Sequence, residues 1–272
     1  MNSKIFAIAN QKGGSCKTTT AVNVVAALTK MGVKTLLVDI DPQSHATLHY
    51  GISKKETRGC SIRDIIVPPN ITNNERLLSW DEVLITTDEV DIIPCEEALA
   101  GANKQLPSEL GYDRFLEEAL YDAREHYGAI VIDCPPEVGV LTVMAFIASD
   151  RIIIPVEISA FALEGLTRLQ KSAETIVKRK MNPDLRLSGI LCARVDERRI
   201  TDREIIKKLR QKYKDLLFDT RIPENVSVKE AQDTGGSIFV YSPESKGARA
   251  YWNFAEELIK REDLPVKVKN RR

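Results

Sequence analysis

The sequence has little that would commit it to a charged partner, a membrane or an oxidising compartment. Its 39 lysines and arginines are matched by 39 aspartates and glutamates, so the formal net charge is zero. Any affinity for nucleic acid or a membrane surface has to come from a local patch. No CxxC pair occurs among Cys16, Cys60, Cys95, Cys134 and Cys192. An odd, scattered set argues against a disulfide framework and for a reducing cytoplasm. There is no stretch of the about 18 apolar residues needed to cross a bilayer. The N-terminus runs straight into KIFAIAN without a long apolar signal segment. Internal repeats are also missing. A soluble cytoplasmic protein is expected. What remains is a chain of 272 residues, 43% apolar and 29% charged, long enough to bury one large core and ordinary for a single α/β domain.

Short β-branched runs recur along it: KIFAIA (4–9), KTLLVDI (34–40), VDIIP (90–94), AIVID (129–133), RIIIPV (151–156) and SGILCARV (188–195). Near-continuous apolar runs of this kind belong to strands buried on both faces. Helical patterns lie between several of them. Val22, Val25, Ala26 and Leu28 mark a helix over 17–31 that Gly32 stops. Phe115, Leu116, Ala119, Leu120 and Ala123 form one stripe over 112–126. Leu163, Leu166, Leu169, Ala173, Ile176 and Val177 form another, ended by Asn182-Pro183. The alternation predicts an α/β fold with a doubly wound, mostly parallel sheet flanked by helices, as one domain. The polar segment 51–88, with Pro68-Pro69 and Asn73-Asn74, reads as a surface excursion with short helices.

The first strand leads into NQKGGSCKTT (10–19), and a helix follows. In that setting the backbone N–H groups of Gly13, Gly14 and their neighbours can converge on phosphate oxygens at the positive end of the helix dipole. Lys17 would reach the β- and γ-phosphates, and Thr18 would ligate Mg²⁺. The motif GxxxxGK[ST] is not strictly met, because Gln11 and Cys16 stand at its glycine positions. A glycine-rich turn without a ligand is the competing reading of the loop alone. Two further stretches favour the phosphate site. LLVDIDPQ puts Asp39 and Asp41 at the end of the second strand, on the carboxyl edge where α/β sheets bind ligands. The two would share one side if the strand persists that far. IVIDCPP puts Asp133 at the end of another strand, as a carboxylate holding Mg²⁺ through water would be. Strand-end or turn caps are the plainer reading of each aspartate.

KGGSCKTT, LLVDIDPQ, VIDCPP, IIIPVEISAFALEGL, RIPENVSVKEA and PESKGARAY together resemble the deviant Walker-A ATPases of the ParA/Soj type, P-loop NTPases that partition plasmids or chromosomes. The resemblance runs in register from about residue 4 to 260, in the short, Soj-like form without an extra N-terminal DNA-binding domain. It implies one ParA-like ATPase domain over 1–262 with a basic tail over 263–272. By the same resemblance Lys12 is the second lysine that reaches across an ATP-sandwich homodimer, as an arginine finger would. Lys17 acts in cis, Thr18 sits on Mg²⁺ and Thr19 on the α-phosphate, with Gly13, Gly14, Ser15 and Cys16 completing the ATP cradle. Asp41 orients or activates the attacking water, Asp133 lies just outside the Mg²⁺ ligands, and Asp39 is a supporting carboxylate near Lys17 or the metal. Adenine is expected near Arg194, Pro223 and Glu224. Cys16 departs from the family's glycine or alanine; its Cβ and sulfur are expected to tune the loop without abolishing it. A thiol beside a helix N-terminus could also have a lowered pKa, although a structural cysteine is the plainer reading.

The resemblance further implies nonspecific DNA binding by the ATP dimer, and hydrolysis stimulated by a ParB-type adaptor, on the nucleoid. RRITDREIIKKLRQKYK (198–214) supplies a basic stretch with Arg198, Arg199, Arg203, Lys207, Arg210 and Lys214. Arg203, Lys207, Arg210 and Lys214 line one helical face, while Ile205, Ile206, Leu209 and Tyr213 supply the apolar side. A solvated charged face is the alternative. Glu224 and Ser227 stand near positions often basic in relatives, which shifts the expected contact toward Arg198 and Arg199, with Lys246 and Arg249 as outside candidates. His45 and His49, i and i+4, are compatible with metal ligation if helical, but no third ligand is evident. Cys134 reads as structural. The rival functions are a MinD-like membrane-positioning ATPase, which would need a C-terminal amphipathic helix where Pro265 interrupts, and a metabolic enzyme on the same scaffold.

Overall fold

The structure, a computed structural model, describes residues 3–69, 76–159 and 162–266, the side chains of 162–164 excepted. Asn73-Asn74, the side chain of Leu163 and the closing KVKNRR lie outside the described residues. Among those residues eight strands form one sheet: β1 Lys4–Ile8, β2 Thr35–Asp39, β3 Ile85–Thr86, β4 Asp91–Ile93, β5 Ala129–Asp133, β6 Arg151–Glu157, β7 Arg186–Val195 and β8 Leu217–Pro223. Their order is β3-β4-β2-β5-β1-β6-β7-β8. Every pairing is parallel except the short β3 against β4. The α-helices are α1 Lys17–Lys30, α2 His45–His49, α3 Lys54–Thr57, α4 Ile62–Ile66, α5 Ala102–Gln105, α6 Phe115–Ala119, α7 Ala123–His126, α8 Val140–Ala148, α9 Ala162–Lys178, α10 Ile200–Tyr213, α11 Val226–Thr234, α12 Ile238–Tyr241 and α13 Lys246–Glu262.

The central strands are apolar on both sides because both faces of the sheet are covered. Along β1, Ile5 and Ala7 join one core and Phe6 and Ile8 the other. In β5, Ile130 and Ile132 face the first core, and Ala129 and Val131 the second. The first core packs against α4, α6, α7, α8, α9 and α10, the second against α1, α12 and α13. Each fully buried large side chain contributes about 1.5–3 kcal/mol. Strand order reverses at β1, which lies between β5 and β6. The carboxyl edge at that point is where a doubly wound sheet places its ligand, and the phosphate loop leaves β1 there.

Several expectations change in detail. The stripe over 112–126 buries Leu116, Leu120 and Ala123 as its spacing predicts, but the helix breaks after Ala119. Tyr121 N donates to Glu118 O at 3.2 Å and Arg124 N to Tyr121 O at 3.3 Å, tight i→i+3 bonds that turn the chain. The segment 51–88 does contain short helices, each with a capping box, Ser53 with Glu56 and Ser61 with Asp64. It is not only a surface excursion: Ile62, Ile65, Ile66, Val67 and Val83 are buried in the first core. Two elements were not anticipated. The helix α8, VLTVMAFIA, is apolar nearly all round and so has no amphipathic period to detect. The strand β8 is a sheet edge with a mixed, partly exposed face, which hides it from a search for apolar runs. Asn182 does more than follow α9: its amide donates to the carbonyls of Phe146, Ile147 and Ser149, capping the end of α8. At the far end α13 stops at a left-handed Asp263, with Leu264 N bonded to Ile259 O at 3.1 Å. Leu264 is buried, so the tail expected from 263 is anchored at its start.

Candidate functional site

The loop between β1 and α1 is built around two left-handed residues. Gly14 has φ 73° and Cys16 φ 65°. A Cβ added at Gly14 would meet no atom of the described residues within 4 Å, so its glycine answers to backbone conformation and not to crowding. The same conformation explains why glycine suits position 16, and a cysteine there sits in a region that disfavours side chains. The departure noted in the sequence is thus a strain as well as a matter of bulk. Burial pushes the Cys16 thiol up to about 11, outweighing the fields of Arg194, Lys17 and Lys12. This agrees with the plainer reading, a structural cysteine, and not with the alternative of a lowered thiol: its sulfur packs against the second core, where desolvation disfavours the thiolate.

Asn10, which the sequence reading passed over, anchors the start of the loop. It is buried, its amide donates to Pro155 O at 2.7 Å, and its Oδ1 accepts from Lys12 N at 3.1 Å. Gly13 and Gly14 are exposed, and Ser15 is buried with no partner for its hydroxyl among the described residues. Lys17, the first residue of α1, is buried and so fixed in the cleft. The Thr19 hydroxyl accepts from the Gln232 amide of α11. That bond occupies the group expected on the α-phosphate, and links the loop to a helix more than two hundred residues away in sequence.

The three aspartates gather on the carboxyl edge beside this loop. Asp39 and Asp133 are direct cross-strand partners at the ends of β2 and β5, and Ile8 at the end of β1 is the other partner of Asp133. The strand does not persist to Asp41. Asp41 lies in a turn in which its own N–H donates to Asp39 Oδ1 at 3.1 Å and its Oδ1 accepts from Gln43 N at 3.0 Å, so it reaches the site by turn geometry. Asp39 Oδ2 accepts from both the N–H and the hydroxyl of Thr47, at 2.9 and 2.7 Å. Burial raises the Asp39 carboxyl above the usual carboxylate range, against those hydrogen bonds.

Asp133 is the unusual member. It is fully buried, and among the described residues neither carboxylate oxygen has a hydrogen-bond partner. Burial, then the charge of Asp39, pushes its carboxyl well up, opposed by the nearby Thr18 hydroxyl and Lys17. A buried, unpartnered carboxylate beside a like charge is costly unless a cation completes it. Asp133 together with the Thr18 hydroxyl therefore fits Mg²⁺, a hard ion that takes oxygen ligands.

Lys12 stands at the exposed rim, its Nζ 3.0 Å from Glu157 Oε2 and 3.5 Å from Ser159 Oγ. The other oxygen of Glu157 takes Arg194 Nη1 at 3.1 Å. Glu157 falls inside the stretch IIIPVEISAFALEGL, but a lone glutamate at a strand end announces no chemistry of its own. Arg194 is the next-to-last residue of β7, on this edge, whereas Pro223 ends the edge strand β8 and Glu224 follows it. Glu224 is exposed and paired with Arg199 at 3.4 Å; no described contact brings it to the loop.

The basic stretch forms α10 as its spacing predicts, with Ile206, Leu209 and Tyr213 buried. Arg203, Lys207 and Lys214 are exposed, but Lys214 lies past the end of α10 with φ 46°, so it does not continue the helical face on which it was expected. Arg210 is not on a free face: its guanidinium donates to Leu217 O at 3.0 Å and Asp219 Oδ1 at 2.7 Å, tying α10 to β8. Arg198 is bound at 2.9 Å through both Nε and Nη2 by Asp196, which also holds Arg199 at 3.5 Å. Of the two histidines, His45 is exposed and His49 buried, so the pair does not form a shared ligand set. Among the described residues no group of three or more His, Cys, Asp or Glu is placed to hold a metal ion by itself, and no helix is long and apolar enough to cross a membrane.

Known proteins resemble this chain in sequence and fold. A family model described as an AAA domain matches residues 3–187. The chain is 39% identical over 256 residues to the sporulation initiation inhibitor protein Soj of Bacillus subtilis (strain 168), covering 94% of this chain and 98% of Soj. It is 34% identical over 270 residues to the chromosome partitioning protein ParA of Myxococcus xanthus (strain DK1622), covering 98% and 92%. Among solved structures, cobyrinic acid a,c-diamide synthase from Mycobacterium smegmatis with bound ATP analogue and magnesium superposes with a TM-score of 0.81 at 28% identity, covering 98% of this chain and 100% of that one.

Proposed function

The chain belongs to the AAA-domain family of ParA/Soj-type ATPases, and from that premise we propose that it is a DNA-partition ATPase whose ATP-bound homodimer binds DNA without sequence preference. Hydrolysis, accelerated by a ParB-type adaptor, returns the dimer to monomers on the nucleoid. The observation that carries this reading is the pair of lysines at one loop. Lys17 is buried in the cleft, and Lys12 is held at the exposed rim by Glu157. A buried lysine serves its own nucleotide; an exposed one on the same loop can serve a second subunit's.

In this mechanism the N–H groups of the loop and of the α1 N-terminus receive the phosphates. Lys17 neutralises the β- and γ-oxygens, and Thr18 with Asp133 would hold Mg²⁺, Asp133 acting through water. When bound, Mg²⁺ neutralises charge on the phosphate oxygens. Asp41 orients the attacking water: its Oδ1 is fixed by the Gln43 N–H, and Oδ2 carries no hydrogen bond among the described residues. Asp39 holds the Asp41 turn through its N–H. Lys12, transferred from Glu157 to the partner's nucleotide, offsets charge developing on the transferred phosphoryl group; a cation of this kind is worth about 10³–10⁵ in rate. The exposed Arg198, Arg199, Arg203, Lys207 and Lys214 give phosphate contacts without base readout. Arg198 and Arg199 pair with Asp196, and Arg199 also with Glu224, in the free chain, so binding through these two depends on exchanging those partners.

The test is DNA binding by Asp41→Ala with ATP, with ADP and without nucleotide, across a salt series. Salt-sensitive, sequence-indifferent binding only with ATP is expected. ATP-dependent dimers without DNA binding would instead favour a membrane or metabolic role, and the absence of both would end the reading. The MinD-like alternative has less support, because α13 ends at Asp263 and Leu264 folds back into the core.

A further inference from the structure

Arg194 is out of keeping with its strand. It is the next-to-last residue of β7, yet its φ is 53°, in the left-handed region. The register with β8 shifts at the same place, between Cys192 and Val195. The ion pair with Glu157 is a poor reason for such a backbone. Arg194 is half exposed, and an exposed ion pair contributes less than a left-handed non-glycine residue costs. Strain of this kind collects at ligand sites.

The flip aims the side chain at the phosphate loop. Of the charges acting on the Cys16 thiol, that of Arg194 is the largest, ahead of Lys17 and Lys12. Glu157 is shared by Arg194 and Lys12, so two cations meet one carboxylate at the rim and leave an excess of positive charge. That excess suits a polyanion entering the loop. A guanidinium offers several donors in a planar fork, which matches phosphate oxygens well.

From this we infer that Arg194 is a cation for the terminal phosphates of the chain's own bound ATP, parked on Glu157 until the nucleotide enters, and not a contact to adenine. The inference rests on the ATPase reading above and adds a residue to it. On ATP binding, Arg194 exchanges Glu157 for a γ-phosphate oxygen, and Glu157 keeps Lys12 until a second subunit arrives.

The experiment is calorimetric titration of wild type, Arg194→Ala and Arg194→Gly with Mg²⁺ and either AMPPNP or ADP, alongside thermal melts. Glycine relieves the left-handed backbone while removing the cation, so Arg194→Gly is expected to melt no lower than Arg194→Ala. Both variants are expected to bind AMPPNP about tenfold more weakly, the scale of one charge-assisted hydrogen bond to phosphate. ADP affinity should change by less than about threefold, since ADP lacks the γ-phosphate. Unchanged AMPPNP affinity in both variants would overturn the inference. So would equal losses for AMPPNP and ADP, which would return Arg194 to the base or ribose. Should wild type bind neither nucleotide, the nucleotide site itself would fall, a different result from either of these.

Discussion

Replacing Cys16 with glycine and, separately, with alanine isolates the strain in the phosphate loop. Both substitutions remove the same sulfur, so its packing against the second core cancels between them. Alanine keeps a Cβ at φ 65°, where an L-residue pays roughly 1–2 kcal/mol. Glycine avoids that term but loses about 0.4–1 kcal/mol through the greater freedom of its unfolded chain. The difference favours glycine by about 0.5–1 kcal/mol, the reverse of the usual order inside a helix. For a protein of this size that is a gap of roughly 2 °C in melting temperature, measurable by paired thermal or urea unfolding of the two variants. ATP turnover in Cys16→Gly should be kept or raised. Alanine equal to or more stable than glycine would refute the backbone account, and complete loss of turnover in Cys16→Gly would refute the idea that cysteine merely tunes the loop.

The same logic predicts that Gly14→Ala, at φ 73° with open space around its Cβ, destabilises by about 1 kcal/mol from conformation alone; an unchanged urea midpoint would contradict it. Asp133→Asn should behave oppositely with and without metal. Burial and Asp39 raise the native carboxyl of Asp133, so the native state binds its proton more tightly than the unfolded chain, and this group makes stability fall as pH rises above about 4. In EDTA the variant should therefore lose less stability than wild type between pH 5 and 8.5, while its affinity for Mg²⁺-nucleotide drops about tenfold or more; melts that fall equally in both proteins would count against an uncompensated Asp133. Because the Cys16 thiol lies at about 11, its alkylation by iodoacetamide should be slow at pH 8 and still rising at pH 10, and a plateau by pH 8 would contradict the burial argument. Neutralising Arg198 and Arg199 together should weaken ATP-dependent DNA binding and lower the salt slope by up to about 1.8, or about 0.9 per phosphate contact; an unchanged slope would move the interface elsewhere.

Much of the fold was legible in the residue pattern. Strands such as AIVID and RIIIPV read as apolar runs because both faces of a parallel sheet are covered, and α10 showed its buried side by period alone, whereas α1 is buried nearly all round. The helix α8 and the edge strand β8 were not legible, the one for want of a polar face and the other for want of an apolar run. At the site, motif and strand-end position sufficed to nominate Lys17, Thr18, Asp39, Asp41 and Asp133, since the chemistry of phosphate and Mg²⁺ narrows which residue types can serve. Tertiary structure decided everything that depends on who stands next to whom. Glu157 joins Lys12 to Arg194 only because β6 and β7 end side by side. Gln232 reaches Thr19, and Asp219 holds Arg210 away from the basic face. Cys16 has a raised thiol and a left-handed backbone, neither of which its letter announces. Local sequence determines which groups are available, through backbone preference and side-chain chemistry. Burial, field and φ arise from contacts between distant segments, so only the assembled fold sets how those groups behave.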